Sequence, residues 1–372
     1  MADASIQGVR MPKWGLSMTQ GKVVEWLVPE GTSVTLETDV AEIESEKITG
    51  PLQAPASGVL RRYVAAPGDN LPVGSLLGVI ADIEVTDEAI EDFVQQAATI
   101  QIVDDNEIET VAPESVLLGD RKIRYLQHGT GQPAVVLIHG FGGNLNNWMF
   151  NHEPLADDKA VYAVELPGHG QSSKDVGDGS LASLVQTVHD WLDAVGIEQA
   201  HLVGHSLGGA IAVNLAHRES ARVRSCTLIA SVGLGAEIDA EFIEGVVQAS
   251  RRKQLKPHLE KLFADPGQAT RQLVDDLLKF KRLDGVQQAL QAIAKQMIRQ
   301  GRQANDLREQ FQQLTLPTQV LWGQEDRIIP VSHAKELSPT TTVEVFPNCG
   351  HMVHMEAATE VNRAIQRFYD TL

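Results

Sequence analysis

Gly204-His205-Ser206-Leu207-Gly208 sets a serine between two glycines, after an apolar run of strand length and before a helical stretch of small residues. In this G-x-S-x-G pattern the turn is so tight that side chains at the glycines would clash. The serine then stands in a strained conformation, its hydroxyl exposed at a helix N-terminus where the dipole favours developing negative charge. Such a serine is a nucleophile for activated carbonyls once a base and an acid join it. On a strand-turn-helix scaffold the expected chain order is serine, acid, histidine. Leu321-Trp322-Gly323-Gln324-Glu325-Asp326 follows a strand end and offers Asp326 as the acid, with Glu325 as its alternative. Asn348-Cys349-Gly350-His351 follows the last strand and offers His351 as the general base. His354 is the competitor, and reads better as packing on the following helix. An oxyanion needs two backbone N–H donors. Leu207 supplies one, and the loop His139-Gly140-Phe141-Gly142-Gly143 offers Phe141 for the other, its glycines allowing close backbone approach. His139 reads as structural. No metal site is expected.

A second kind of chemistry is expected at Lys47. It lies in Glu44-Ser45-Glu46-Lys47-Ile48-Thr49-Gly50, a polar link between two similar β-halves. Gly21 opens the run Lys-Val-Val-Glu-Trp-Leu-Val-Pro-Glu that ends at Gly31, and 37 residues further on Gly58 opens a run that ends at Gly68. The same offset carries Val34 onto Leu71, Leu36 onto Val73, Val40 onto Leu77 and Ile43 onto Ile80. Each half is too small to bury a core alone, so the two are expected to pack as a flattened sandwich with a quasi-twofold axis. The link between them is then an exposed hairpin tip, with the Lys47 amine at its apex.

The nucleophile needs a different frame. From about residue 120, apolar runs (Ala134–Ile138, Val161–Val164, His201–Val203, Cys226–Ala230, Gln319–Trp322, Val343–Phe346) alternate with helical stretches such as Leu181–Ala194 and Ala210–His217. Strand-helix alternation predicts an α/β fold with a mainly parallel sheet. Residues 235–306 break the alternation; they read as a helical cap, whose Arg251, Arg252 and Lys253 could meet an anionic substrate or simply form a solvated face. Residues 83–119 hold ten acids and no Lys or Arg, and read as an extended acidic linker. Inside it Ile90, Phe93, Val94 and Ala97 fall at helical spacing, for a short helix on its own domain or one that docks a partner.

The net charge of −18 argues against nucleic acid or an anionic membrane as partner. No run approaches the ~20 apolar residues that cross a bilayer, and no secretory signal is seen at Met1–Val9. Two cysteines, Cys226 and Cys349, suit a reducing compartment, so a cytoplasmic location is expected.

Residues 6–82 resemble a lipoyl domain, with Glu44-Ser45-Glu46-Lys47-Ile48 matching the lipoylated hairpin, although Glu46 stands where Asp is usual. Biotin carriers are similar in fold but set their lysine between two methionines. Residues 120–372 resemble the α/β-hydrolase superfamily; Leu166-Pro167-Gly168-His169-Gly170-Gln171-Ser172 also matches a recurring turn of that family, with Glu165 where Asp is commoner. The pairing of a lipoyl domain (1–82) with a hydrolase domain (120–372) resembles the acyltransferase components of acetoin dehydrogenase complexes. The resemblance implies lipoate on Lys47, and acetyl transfer from that arm to coenzyme A through Ser206, Asp326 and His351, with Phe141 and Leu207 at the oxyanion. It implies as partners a thiamine-diphosphate-dependent acetoin-cleaving component and a dihydrolipoamide dehydrogenase, in an oligomeric assembly. The His-x-x-x-Asp-Gly motif of ordinary dehydrogenase-complex acyltransferases is absent. Two rivals stand beside transfer: a serine hydrolase that releases the acyl group to water, and a lipoyl carrier with a scaffold hydrolase domain.

Overall fold

A computed structural model describes residues 6–12, 18, 20–36, 38–45, 49–100, 112–335, 337 and 341–372. The chain forms two compact units, 1–110 and 111–372.

In the first unit, eight strands make two four-stranded sheets. The strands are β1 (Ile6–Arg10), β2 (Gln20–Trp26), β3 (Ser33–Val34), β4 (Asp39–Glu44), β5 (Thr49–Gln53), β6 (Gly58–Tyr63), β7 (Asn70–Pro72) and β8 (Leu76–Ala81). One sheet runs β1-β8-β6-β3, the other β5-β4-β2-β7. The 37-residue offset carries β2 onto β6 and β4 onto β8, so each sheet takes its middle pair from one half of the repeat. The bonds repeat with the strands. Gly31 N–H donates to Leu60 O and Gly68 N–H to Val23 O, both at 2.7 Å. Trp26 Nε1 donates to Ala65 O at 3.0 Å, and Tyr63 Oη, 37 residues on, donates to Val28 O at 2.6 Å. The Trp26 and Tyr63 rings stack with centroids 4.4 Å apart, which puts the quasi-twofold axis between them. Val34, Val40, Leu77, Ile43 and Ile80 are buried in the core, whereas Leu36 is exposed.

Of the segment expected as an acidic linker with a short helix, residues 83–100 and 112–119 are described. Asp87–Ile100 is a helix, α1, whose Ile90 is buried against Ile6, Leu76, Val79 and Ala81, with Phe93 and Val94 beside it. The count of acids hid the cations that meet them, because those lie on β6. Arg61 Nη1 donates to the carbonyls of Asp82, Ile83 and Val85, its Nη2 pairs with Asp87 at 2.8 Å, and Arg62 pairs with Glu91. An apolar seam with two guanidinium partners outweighs charge repulsion among exposed carboxylates, which is weak in water. The helix packs on its own unit, as the simpler reading of its spacing had it.

At its far end the same segment contributes β9 (Glu114–Leu118), an edge strand of the second unit. That unit therefore begins before residue 120. Its other strands are β10 (Arg121–His128), β11 (Ala134–Ile138), β12 (Val161–Glu165), β13 (Ala200–His205), β14 (Val223–Ile229), β15 (Ile298–Arg299), β16 (Arg302–Gln303), β17 (Thr318–Gly323) and β18 (Thr342–Phe346). Eight of them form one sheet, ordered β18-β17-β14-β13-β11-β12-β10-β9; β15 and β16 form a separate hairpin. From β12 to β18 all neighbours are parallel, and β10 is antiparallel to both its partners. Helices α2 (Leu181–Ala194), α3 (Leu207–Arg218), α9 (Val353–Glu356) and α10 (Ala358–Tyr369) follow core strands. Between β14 and β17 stand α4 (Ala240–Gln248), α5 (Arg252–Leu259), α6 (Arg271–Lys281), α7 (Val286–Met297) and α8 (Arg308–Gln312), the helical insert expected around 235–306. Arg252 there is paired with Asp275, while Arg251 and Lys253 are exposed. The chain leaves β11 toward β12 on one side and returns to β13 on the other. This reversal is the switch point where open α/β sheets place their sites, at the C-terminal strand ends. No helix among the described residues is long and apolar enough to cross a membrane.

Candidate active site

Ser206 joins β13 to α3 with φ +53° and ψ −114°, a region that residues with a Cβ rarely enter. The flanking glycines are sterically required. A Cβ on Gly204 would lie 2.3 Å from Gly208 O, and one on Gly208 2.0 Å from Ile138 O. The elbow can therefore form only where α3 presses against the end of β11.

The candidate acid and base arrive from two neighbouring strands. Asp326 follows β17 and its side chain is wholly buried; its Oδ2 accepts from His351 Nδ1 at 2.9 Å. Its Oδ1 accepts from Ile328 N–H at 2.8 Å and Ile329 N–H at 3.0 Å, which fixes the carboxylate plane. Glu325, the alternative acid, instead accepts from Cys349 N–H at 3.0 Å and braces the histidine loop. His205 Nε2–H donates to the His351 carbonyl at 3.0 Å, and the two rings lie 4.7 Å apart. This ties the elbow directly to the loop that carries His351. His354 is fully buried between Trp148 and His205, with ring centroids at 4.6 and 4.5 Å. Burial pushes it down to about 3, which makes it a neutral packing ring.

The loop after β11 meets the serine. A Cβ on Gly140 would come within 3.0 Å of Ser206 Cβ. Beyond it, Gly142 N–H is taken by His169 Nε2 at 3.0 Å and Gly143 N–H by Gly140 O at 3.1 Å; Phe141 N–H lies between them. Two neutral histidines set this loop. Leu166 N–H donates to His139 Nε2, so the proton of His139 sits on Nδ1 and bonds Gly140 O at 2.8 Å. His169 accepts from Gly142 at Nε2, so its Nδ1–H bonds Pro167 O at 3.0 Å. Burial holds the pair down to about 4 for His139 and about 3 for His169. Sequence reasoning gave His139 a structural role without its partner, and missed His169 and His205. The Leu166–Ser172 turn was the one signal that pointed to His169.

Glu165, where Asp is commoner, is buried and accepts from Gln171 N–H at 2.6 Å, closing that turn; burial raises its carboxyl. Lys47 lies outside the described residues. Glu44 pairs with Thr49, so β4 and β5 close immediately on either side of its turn.

The α/β-hydrolase-fold family matches residues 133–358, and the family described as biotin-requiring enzyme matches residues 7–80. The chain is 45% identical to the dihydrolipoyllysine-residue acetyltransferase component of the acetoin cleaving system of Pseudomonas putida, over 98% of this chain and 99% of that one. The protein of that name from Cupriavidus necator is 43% identical, over 96% of each. The chain belongs to this acetyltransferase family. Its hydrolase-fold unit is also similar to a solved meta-cleavage product hydrolase from Pseudomonas fluorescens, at 25% identity and a TM-score of 0.63, covering 69% of this chain and 97% of that one. These two relatives align with both units of this chain, the one matched at 7–80 and the one matched at 133–358.

Proposed function

We propose that this chain moves an acetyl group from a dihydrolipoyl arm on Lys47 to coenzyme A, through Ser206, His351 and Asp326. The observation that carries the reading is the arrangement of the second unit: a serine strained at an elbow, with a histidine aimed by a wholly buried, doubly braced aspartate. The turn between β4 and β5 suits amide attachment of lipoate at Lys47, and the bound group would supply the acetyl as a thioester. The family places the reaction in acetoin breakdown. The partners it implies are a thiamine-diphosphate-dependent acetoin-cleaving component and a dihydrolipoamide dehydrogenase.

His351 Nε2 takes the Ser206 proton as Oγ attacks the acetyl carbonyl, and Asp326 stabilises the imidazolium. The N–H groups of Phe141 and Leu207 receive the oxyanion. The C–S bond breaks, His351 returns the proton to the departing sulfur, and acetyl remains on Ser206. Coenzyme A thiol then gives its proton to His351 and attacks the acetyl-serine, releasing acetyl-coenzyme A and free Ser206. The insert between β14 and β17 lies in sequence where this fold carries its cap, and is the candidate barrier to water.

Intact mass after incubation with acetyl-dihydrolipoamide should show one acetyl on Ser206, discharged by coenzyme A with formation of acetyl-coenzyme A. Full transferase activity in Ser206→Ala would refute the mechanism. Discharge at the same rate with and without coenzyme A, with no acetyl-coenzyme A formed, would make the chain a hydrolase.

A further inference from the structure

The Gly350–His351 loop is gripped by a carboxylate that the triad does not include. Glu356, on α9, accepts from Gly350 N–H with Oε1 at 2.8 Å and from Ala264 N–H with Oε2 at 2.7 Å. Gly350 precedes His351. Ala264 belongs to the helical insert, just beyond the turn at Glu260–Leu262. The same stretch of insert is bonded to both the base and the acid loops. Met352 N–H donates to Leu262 O at 3.1 Å, and Arg327 Nη2 donates to Phe263 O at 2.6 Å and Ala264 O at 3.1 Å. Glu356 is thus the side chain through which the insert and the His351 loop share one anchor.

Burial raises the Glu356 carboxyl, while the backbone N–H groups of Ala264 and Gly350, one on each oxygen, favour its charged form. A fixed negative charge beside His351 favours the imidazolium over the neutral ring. Several groups face His351. Asp326 bonds it, Arg327 follows Asp326 on the same loop, His205 and His354 are neutral rings beside it, and Ser206 is the proposed proton donor. Glu356 itself feels Asp326 and His351, and its charge reaches the Cys349 thiol. Among these, Asp326 and Glu356 are the anions.

We propose that Glu356 is a positioning residue: it anchors the His351 loop to the insert, and its charge stabilises the His351 imidazolium during acyl transfer. The proposal rests on His351 being the base of the site, and its test needs neither lipoate nor coenzyme A. The rate of fluorophosphonate labelling of Ser206 is measured against pH in the full chain, for wild type, Glu356→Gln, Glu356→Asp and Glu360→Gln. Wild type should show a labelling limb set by His351; no labelling at all would refute the catalytic reading itself. Glu356→Gln should lower the plateau about 3- to 10-fold and move the limb about 0.5 to 1 pH unit lower, because the imidazolium loses support. Glu360→Gln, which removes an exposed charge on α10, should leave the limb in place. Glu356→Asp keeps the charge but shortens the reach, so its plateau should fall with the limb unmoved. A Glu356→Gln limb that coincides with wild type overturns the electrostatic half of the proposal. An unchanged plateau in Glu356→Asp overturns the anchoring half, and this second variant is decisive if thermal melting shows that Glu356→Gln has lost its fold.

Discussion

The two units reach chemistry by opposite routes. The first is built twice from one pattern, with hydrogen bonds that recur every 37 residues and a Trp26–Tyr63 stack on the axis between the copies. Its proposed chemistry is a single lysine on a hairpin, to which the body contributes support and no reacting group. The second repeats nothing. Ser206, Asp326, His351 and the Phe141 loop come from four separate strand ends, and each depends on contacts with the others. A carrier thus needs one side chain and a stable platform. A nucleophilic site needs several loops in mutual register, and the structure spends three buried histidines (His139, His169 and His205) and two carboxylates (Glu325 and Glu356) on holding them there.

Lys47→Arg breaks that contrast most directly. The first unit should fold normally and the arm-dependent reaction should vanish, while Ser206 still labels with fluorophosphonate and free acetyl-dihydrolipoamide still serves as donor. Turnover of arm-borne acetyl in this variant would show that the carrier site is elsewhere.

Acid separates the units next. All twelve histidines lie beyond residue 127, so the first unit has none. His139 and His169 are neutral in the fold, held to about 4 and about 3, against about 6.5 when unfolded. The unfolded second unit therefore binds more protons between these values. Its stability is fully present above about pH 6.5 and is lost as pH falls toward 4, by about 3 kcal/mol from His139 alone. Calorimetry from pH 7 to 4.5 should show the transition of the second unit falling while that of the first holds. Parallel decline of both would place the acid-sensitive groups elsewhere.

The smallest effect tests the symmetry. Gly31 and Gly68, 37 residues apart, take φ +86° and +97° with open space where a Cβ would go, and their N–H groups make twin bonds. Alanine at either should cost about 1 kcal/mol from backbone strain alone. Melting of Gly31→Ala and Gly68→Ala should give equal losses; a clear difference would mean that the halves carry unequal load.

Much of this was legible in the chain. The 37-residue offset is a repeat of bonding geometry, so glycines and core residues mark it in sequence. Leu181–Ala194 and Ala134–Ile138 coincide with α2 and β11, because amphipathic period and full burial leave direct signatures. The elbow was legible because its glycines are demanded by backbone collisions. The choice of Asp326 over Glu325 needed geometry: the two are adjacent, and only the fold shows one facing His351 and the other facing Cys349 N–H. In the acidic segment the helix was legible from the spacing of Ile90, Phe93 and Val94, but its ion pairs were not, because Arg61 and Arg62 lie some 25 residues upstream on β6. His205 and Glu356 were invisible for the same reason, since their partners are remote loop amides and carbonyls that no spacing encodes.

The Arg61 clasp bears on how a ligase would tell the two ends of the first unit apart. A body with near-twofold symmetry has two equivalent tips, and the counterpart of the Lys47 turn falls 37 residues on, around Glu84. There Arg61 ties down the carbonyls of Asp82, Ile83 and Val85, and α1 departs along the unit's flank. That end is tied down and carries an acid where the proposed lipoylation site carries an amine, so Arg61 and α1 break the equivalence of the two halves.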